Sequence, residues 1–275
     1  MQIGEKIRVL RSNKGITQAE LASALSVSAQ TVSKWETYLS SPDISILPVL
    51  AAYFGITMDE LFGFRLDALN YKERFVRFLF DNGMLRFGDF ELKSGRRSPY
   101  RICSGDYRTG SQIAKLGEFY AECIRRHAPG TQCLVGIDGR EAPVLVATAM
   151  VLFDRYGVDV GYCVDPESLK SVCDDTEVTL LADVFTSGHT LRETLENIRH
   201  KVGRAPSNVV VCVDRKERAE STSFSARHEI ERTYGVKIHS IADVDDVIRG
   251  MENGAISANE YLDRMVAYRA QYEGV

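Results

Sequence analysis

Val178 to Thr190, VTLLADVFTSGHT, decides how most of this chain is read. Its first part, Val178-Thr179-Leu180-Leu181-Ala182, is a continuous apolar run of the length and residue type expected of a strand buried on both faces. After Asp183 come Thr186-Ser187-Gly188-His189-Thr190, a turn of small residues that feeds a helix expected to begin near Leu191. Such a turn can hold a phosphate. Gly188 and the small Thr186 and Ser187 let successive backbone amides converge, the hydroxyls add donors, and the following helix adds positive potential. The candidate phosphate-binding residues are Asp183, Thr186, Ser187, Gly188, His189 and Thr190. An ordinary strand-to-helix turn reads the same way, so the flanking chain carries weight.

Outward from this turn, further strands are expected at Cys133–Ile137, Val158–Cys163, Val209–Val213 and Lys237–Ile241. Amphipathic helices separate most of them, which predicts an α/β domain around a mainly parallel sheet. Upstream of a junction at Arg65–Leu69 the pattern changes to short helices, giving domains 1–66 and 67–275. Ile3, Ile7 and Leu10 predict a helix from Ile3 to Asn13 that stops at Gly15. Thr17-Gln18-Ala19-Glu20 is a capping box opening a second helix that ends near Leu25. Ser28 caps a third, Ala29 to about Tyr38, with Val32 and Trp35 facing inward. A fourth starts near Ser45, where Pro48 is tolerated in the first turn. Thr57-Met58-Asp59-Glu60 is a second box opening the fifth.

The segments TQAELA, SVSAQTVSKWE and PDISILPVLAAYFGITMDELFG agree in order, spacing and caps with the helix-turn-helix domain of the phage repressor and Cro family, which residues 3 to 63 resemble. The resemblance implies double-stranded DNA as partner. It puts Gln18 on a phosphate and makes Ala29, Gln30, Ser33 and Lys34 the groove-facing residues, Gln30 being suited to a bidentate contact with adenine. Arg11 and Glu36 match positions that pair between helices, and Trp35 belongs to the core.

Residues 69 to 275 resemble orotate phosphoribosyltransferase almost end to end, through LRFGDFELKSGRRSPY, GEFYAECI, VGIDGREAPVLVATA, the phosphate turn, VDRKER and VAYRAQYEGV. The expected fold is therefore an all-α five-helix helix-turn-helix domain followed by an α/β type I phosphoribosyltransferase-like domain. The resemblance implies that Lys93 and Arg215 engage a pyrimidine carboxylate and that Thr186 to Thr190 hold a 5-phosphate. Magnesium is implied only if phosphoribosyl pyrophosphate is bound, and no metal ligands are assigned.

Three departures bear on activity. The family's paired acids before the turn are here Ala182-Asp183. The segment whose lysine meets the pyrophosphate is Gly136 to Glu141, which keeps a cation at Arg140 but adds Asp138 and Glu141. The mobile cationic loop is replaced by the shorter, net acidic Asp165 to Asp175, where Lys170 is the one candidate substitute for the catalytic lysine. No catalytic residue is assigned. Arg101 and Ile102 stand where the family has aromatic residues, so Arg101 joins Lys93 and Arg215 as a candidate for binding a carboxylate or a further phosphate.

With 275 residues, 44% hydrophobic and 26% charged, and a net charge of -4, the chain excludes disordered and fibrous classes. The basic residues concentrate early, five against three acidic in residues 1–42. No apolar run reaches membrane-spanning length and the start is too charged for a signal peptide, so a cytoplasmic protein is expected. Six scattered cysteines predict reduced, mostly buried thiols. The preferred expectation is a dimeric, ligand-responsive transcription regulator. It would bind inverted-repeat operators and sense a small phosphorylated, nucleotide-related metabolite. The alternatives are an active orotate phosphoribosyltransferase carrying an autoregulatory DNA-binding domain and, ranked last, a scaffold without ligand. Gly188→Val is expected to abolish ligand-induced stabilisation without unfolding.

Overall fold

Thr17 and Ser28 start the helices that the sequence assigns to them. In a computed structural model of the chain, Thr17 Oγ1 accepts from Glu20 N at 3.2 Å while Glu20 Oε2 accepts from Thr17 N at 2.7 Å, closing the capping box. The structure describes residues 3–56, 58–62, 71–92, 95–137, 141–171, 175–219 and 224–274. It divides into two units, Met1–Tyr71 and Lys72–Val275. The first holds α1 (Ile3–Asn13), α2 (Gln18–Ala24), α3 (Ala29–Glu36), α4 (Leu47–Phe54) and α5 (Met58–Phe62). Ile7, Leu21, Val32, Trp35, Leu50 and Leu61 fill its core.

Two boundaries differ from expectation for local reasons. The third helix ends at Glu36 because Tyr38 turns left-handed, at φ 64°. The fourth begins at Leu47 rather than near Ser45, since Asp43 captures Ser45 N at 2.9 Å and Ser45 Oγ at 2.6 Å in a turn of its own. Pro48 sits in the first turn, as tolerated there. Thr57 and the junction expected at Arg65–Leu69 lie outside the described residues.

The second unit is built on a five-stranded parallel sheet in the order β4-β3-β5-β6-β7. The strands are β3 (Cys133–Gly136), β4 (Gly161–Cys163), β5 (Val178–Phe185), β6 (Asn208–Asp214) and β7 (Lys237–Asp243). The helices are α6 (Tyr71–Asp81), α7 (Gly110–His127), α8 (Ala142–Tyr156), α9 (His189–Val202), α10 (Ala226–Tyr234), α11 (Val244–Glu252) and α12 (Leu262–Tyr272). Every residue of β6 is buried, as a strand covered on both faces requires. The strand expected from Val158 shortens to three residues at the sheet edge, whereas β5 runs on to Phe185. An antiparallel hairpin of β1 (Leu85–Glu91) and β2 (Arg97–Ile102) stands apart from the main sheet. The strand order reverses between β3 and β5, and ligands of such sheets bind at the carboxyl ends of strands at that crevice.

Candidate functional site

In the amino-terminal unit α3 presents the residues expected to face DNA. Ala29, Gln30 and Lys34 are exposed and Ser33 half-buried, while Ser28 Oγ accepts from Thr31 N at 3.1 Å and fixes the helix start. Ser26, in the preceding turn, adopts φ 56°. The helix is held by a buried carboxylate: Glu36 accepts from Arg11 Nε at 2.7 Å, Arg11 Nη2 at 3.0 Å and Gln18 Nε2 at 2.8 Å. Burial pushes the Glu36 carboxyl up, but the hydrogen bonds from Arg11 and Gln18 outweigh it and hold it below its ordinary range. Arg11 and Glu36 therefore pair as expected, and Gln18 is braced against the same carboxylate with one amide proton left to offer.

In the carboxy-terminal unit a cavity of about 770 Å³ opens at the β3/β5 crevice. Its floor is the turn after β5, and Asp183, Thr186, Ser187, Gly188, His189 and Thr190 all line it. Gly188 takes φ 81° at the amino end of the 14-residue α9, and a Cβ there would stand 2.7 Å from Ile230 Cδ1. Only glycine suits both the conformation and the space. Ala182 is buried, and its carbonyl accepts from Tyr120 Oη at 2.7 Å, which braces the strand beneath the turn. Arg101 and Cys103 line the wall contributed by β2 and the residues after it, and Glu141 lines the wall at the start of α8. Burial, then the charges of Glu141 and Asp183, push the Tyr107 hydroxyl above its ordinary range.

Arg215 also borders the cavity, but most of its donors are committed inward. Its Nε donates to Glu217 Oε1 at 2.7 Å, and its Nη2 donates to Ser98 Oγ at 2.8 Å and Tyr268 Oη at 3.0 Å. The guanidinium lies 3.9 Å from the Tyr100 ring centroid. Glu217 further accepts from Arg96 Nη1 at 2.6 Å and Tyr268 Oη at 2.8 Å. Burial, partly offset by the Arg215 charge, pushes the Tyr268 hydroxyl up to about 12. Lys216 between them adopts φ 53° and is tied by Nζ to Asp245 Oδ2 at 2.6 Å and Asp243 Oδ2 at 2.9 Å. A non-glycine residue in that conformation is strained, and here the ion pairs hold the turn that sets Arg215. Arg215 thus has one nitrogen, Nη1, not engaged by these hydrogen bonds, where the resemblance implies that it engages a pyrimidine carboxylate.

The structure brings Arg101, Asp183, Thr186 to Thr190 and Arg215 around one cavity. Lys93, Arg140 and Cys173 lie outside the described residues. Cys103, Cys123, Cys133, Cys163 and Cys212 take part in no disulfide, and four of them are buried. Lys170 is exposed on a 3-10 turn, Pro166–Ser171. That turn is anchored: Leu169 is buried in the core, Glu167 pairs with Lys201 on α9, and Asp165 Oδ1 accepts from Glu167 N at 2.9 Å. The sequence reading missed Glu217, Tyr107, Tyr120 and Tyr268. The i,i+2 pairing of Arg215 with Glu217 was a signal available for the first.

A helix-turn-helix family model matches residues 7–61. An orotate phosphoribosyltransferase from Nitrosococcus oceani is 35% identical over 213 residues, 74% of this chain and 96% of that protein. One from Haemophilus influenzae is 33% identical over 211 residues, 74% of this chain and 98% of its own length. Among solved structures, the orotate phosphoribosyltransferase of Francisella tularensis aligns with a TM-score of 0.60 at 27% identity, over 73% of this chain and the whole of the other.

Proposed function

We propose, because the chain belongs to the orotate phosphoribosyltransferase family and carries a helix-turn-helix domain at its amino end, that it is a DNA-binding transcription regulator whose transferase domain senses a nucleotide-related metabolite. The observation that carries this reading is the anchored Pro166–Ser171 turn. Phosphoribosyl transfer needs water excluded and the charge of the departing pyrophosphate neutralised. A segment tied by Leu169 and by the Glu167–Lys201 pair, bearing Asp165 and Glu167, is poorly suited to close over a site for that purpose. Ground-state binding asks for less. The turn at Gly188 supports recognition of a phosphate, and Arg101 with the Nη1 of Arg215 supports recognition of an anionic base. Should a pyrophosphate bring magnesium, Asp183 and Glu141 are the carboxylates at hand. Among the described residues no three carboxylates, imidazoles or thiols converge as a metal site.

Gln30 and Lys34 are the side chains to read and hold DNA, Gln18 and Ser33 lie beside them, and Ala29 leaves room for close approach. A single module makes few phosphate contacts, so useful affinity asks for a dimer on an inverted repeat. Met150, Phe153 and Tyr156 on α8 and Tyr162 and Val164 at the edge strand β4 are exposed together in the chain, and support a self-association surface. No helix among the described residues is long and apolar enough to cross a membrane. Ligand then acts by linkage, favouring one spacing of the two DNA readers.

The second reading, an active orotate phosphoribosyltransferase that also binds DNA, is favoured by the near-complete coverage of its relatives. One pair of assays separates the two. Operator sequences selected from random duplex DNA are titrated with and without uridine and orotidine 5′-monophosphates, and orotate consumption is followed with phosphoribosyl pyrophosphate and magnesium. Ligand-dependent DNA affinity without turnover supports the regulator. Orotate turnover establishes the enzyme instead.

A further inference from the structure

The turn that carries Arg215 is fastened to the start of α6 through two carboxylates. β6 ends at Asp214, which is paired with the last residue of β7, Asp243. Arg215 follows, its amide donating to Phe185 O at 2.9 Å, and then Lys216 at φ 53°. Lys216 Nζ lies 2.9 Å from Asp243 Oδ2, and the same oxygen lies 3.7 Å from Lys72 Nζ. Lys72 donates in turn to Asp246 Oδ2 at 2.9 Å. Asp243 and Asp246 are locked together as the capping box of α11, Asp243 Oδ1 accepting from Asp246 N at 3.1 Å and Asp246 Oδ2 from Asp243 N at 2.9 Å. Lys72 is the second residue of α6 and stands where the chain passes from the amino-terminal unit into the carboxy-terminal one.

Lys216 supplies an element with two discrete arrangements. A left-handed residue other than glycine persists only where its surroundings over-determine it. Here Asp243 and Asp245 hold the ammonium, and Asp214 Oδ1 accepts from Lys216 N at 2.8 Å. Relaxation of that backbone carries the ammonium away from Asp243. An anionic ligand on Nη1 of Arg215 fixes the neighbouring peptide and so favours the left-handed arrangement. Lys216 then occupies Asp243 and leaves Lys72 to Asp246, whereas with Lys216 withdrawn Asp243 draws Lys72 toward itself. Two cations contending for one oxygen turn occupancy of the cavity into a change of partner at the first turn of α6. A contact with two arrangements, each biased by a different site, is what energetic coupling between sites requires.

We infer that the Asp243–Asp246 pair transmits ligand occupancy at Arg215 to the segment joining the two units, with Lys72 as the residue that receives it. This rests on the reading of the chain as a ligand-responsive regulator, and it names the device by which the ligand regulates. The full-length protein is titrated onto its selected operator, read by fluorescence anisotropy, with and without saturating orotidine 5′-monophosphate, whose base offers Arg215 a carboxylate. In the wild type the ligand is expected to change operator affinity by about fivefold or more. In Lys72→Gln, ligand affinity read by calorimetry and operator affinity without ligand are expected to stay within about twofold, while the ligand-induced change shrinks by about two- to fivefold, the worth of a partly exposed ion pair. Lys72→Arg keeps the charge and restores the change. A lysine that only stabilised the fold would lower the unfolding temperature and leave the ratio of the two operator affinities as it was. A Lys72→Gln variant that keeps the full ligand effect overturns the inference and leaves the regulator reading in place. A wild type whose operator affinity ignores the ligand overturns that reading and this inference with it.

Discussion

Glu217→Ala removes the counterion of a buried guanidinium, and its cost follows from the geometry around it. The Glu217 side chain is 1% exposed and that of Arg215 2%. The carboxylate accepts from Arg215 at 2.7 Å, Arg96 at 2.6 Å and Tyr268 at 2.8 Å. Without it Arg215 keeps Ser98, Tyr268 and the face of Tyr100 but has no compensating charge. Leaving one partner of a buried pair uncompensated costs about 3–5 kcal/mol. For a unit of about 200 residues each kcal/mol moves Tm by about 2–4 °C, so the expected fall is about 6–20 °C. Differential scanning calorimetry of the carboxy-terminal transition reads it. Glu217→Leu combined with Arg215→Met removes both charges and is expected to recover most of the loss, with Arg96 left to reach solvent. A single variant that loses less than about 1 kcal/mol would refute the claim that this network is a desolvated, mutually dependent unit.

Glu36 is held below the ordinary carboxylate range, so the stability it contributes is present above its unfolded value and lost as pH falls through its lower folded value. Acid titration by circular dichroism should show the amino-terminal unit weakening below about pH 4.3, with Glu36→Gln flattening that dependence. Gln30→Ala should weaken binding to a selected operator by about 1–3 kcal/mol and relax preference at one base pair, as read by fluorescence anisotropy. Equal affinity for all variants of that base pair in both proteins would place the reading contact elsewhere. Gly188→Ala should cost about 1–3 kcal/mol in thermal unfolding even without ligand, because φ 81° strains any residue with a Cβ and that Cβ must also displace the end of the Ile230 side chain, 2.7 Å away. The sequence expectation that Gly188→Val spares the fold is therefore corrected by Ile230, 42 positions away in the chain. Thr186→Ala is the cleaner probe of phosphate binding.

That correction marks where local reading stops. The Thr17 box, the Ser28 cap and the strand-turn-helix from Val178 were legible because each is encoded within a few residues by period, cap or glycine. Arg215 was legible as a charged residue in a telling motif, but not as a tethered one. Its partners Ser98 and Tyr268 lie 117 and 53 positions away, and only the packing of β2 and α12 against it brings them in. Leu169 was likewise invisible as an anchor, since a lone leucine in an acidic stretch reads as loop until a core receives it.

The turn at Gly188 is carried by one uninterrupted stretch, β5 into α9, whereas the remaining walls of the cavity come from the β1–β2 hairpin and the residues after it, α7, the start of α8, and β6 with the residue that follows it. Holding a phosphate therefore depends on about two dozen consecutive residues, and turning a substrate over depends on several distant segments keeping step. A fold built this way therefore asks far more coordination of its chemistry than of its grip on a phosphate.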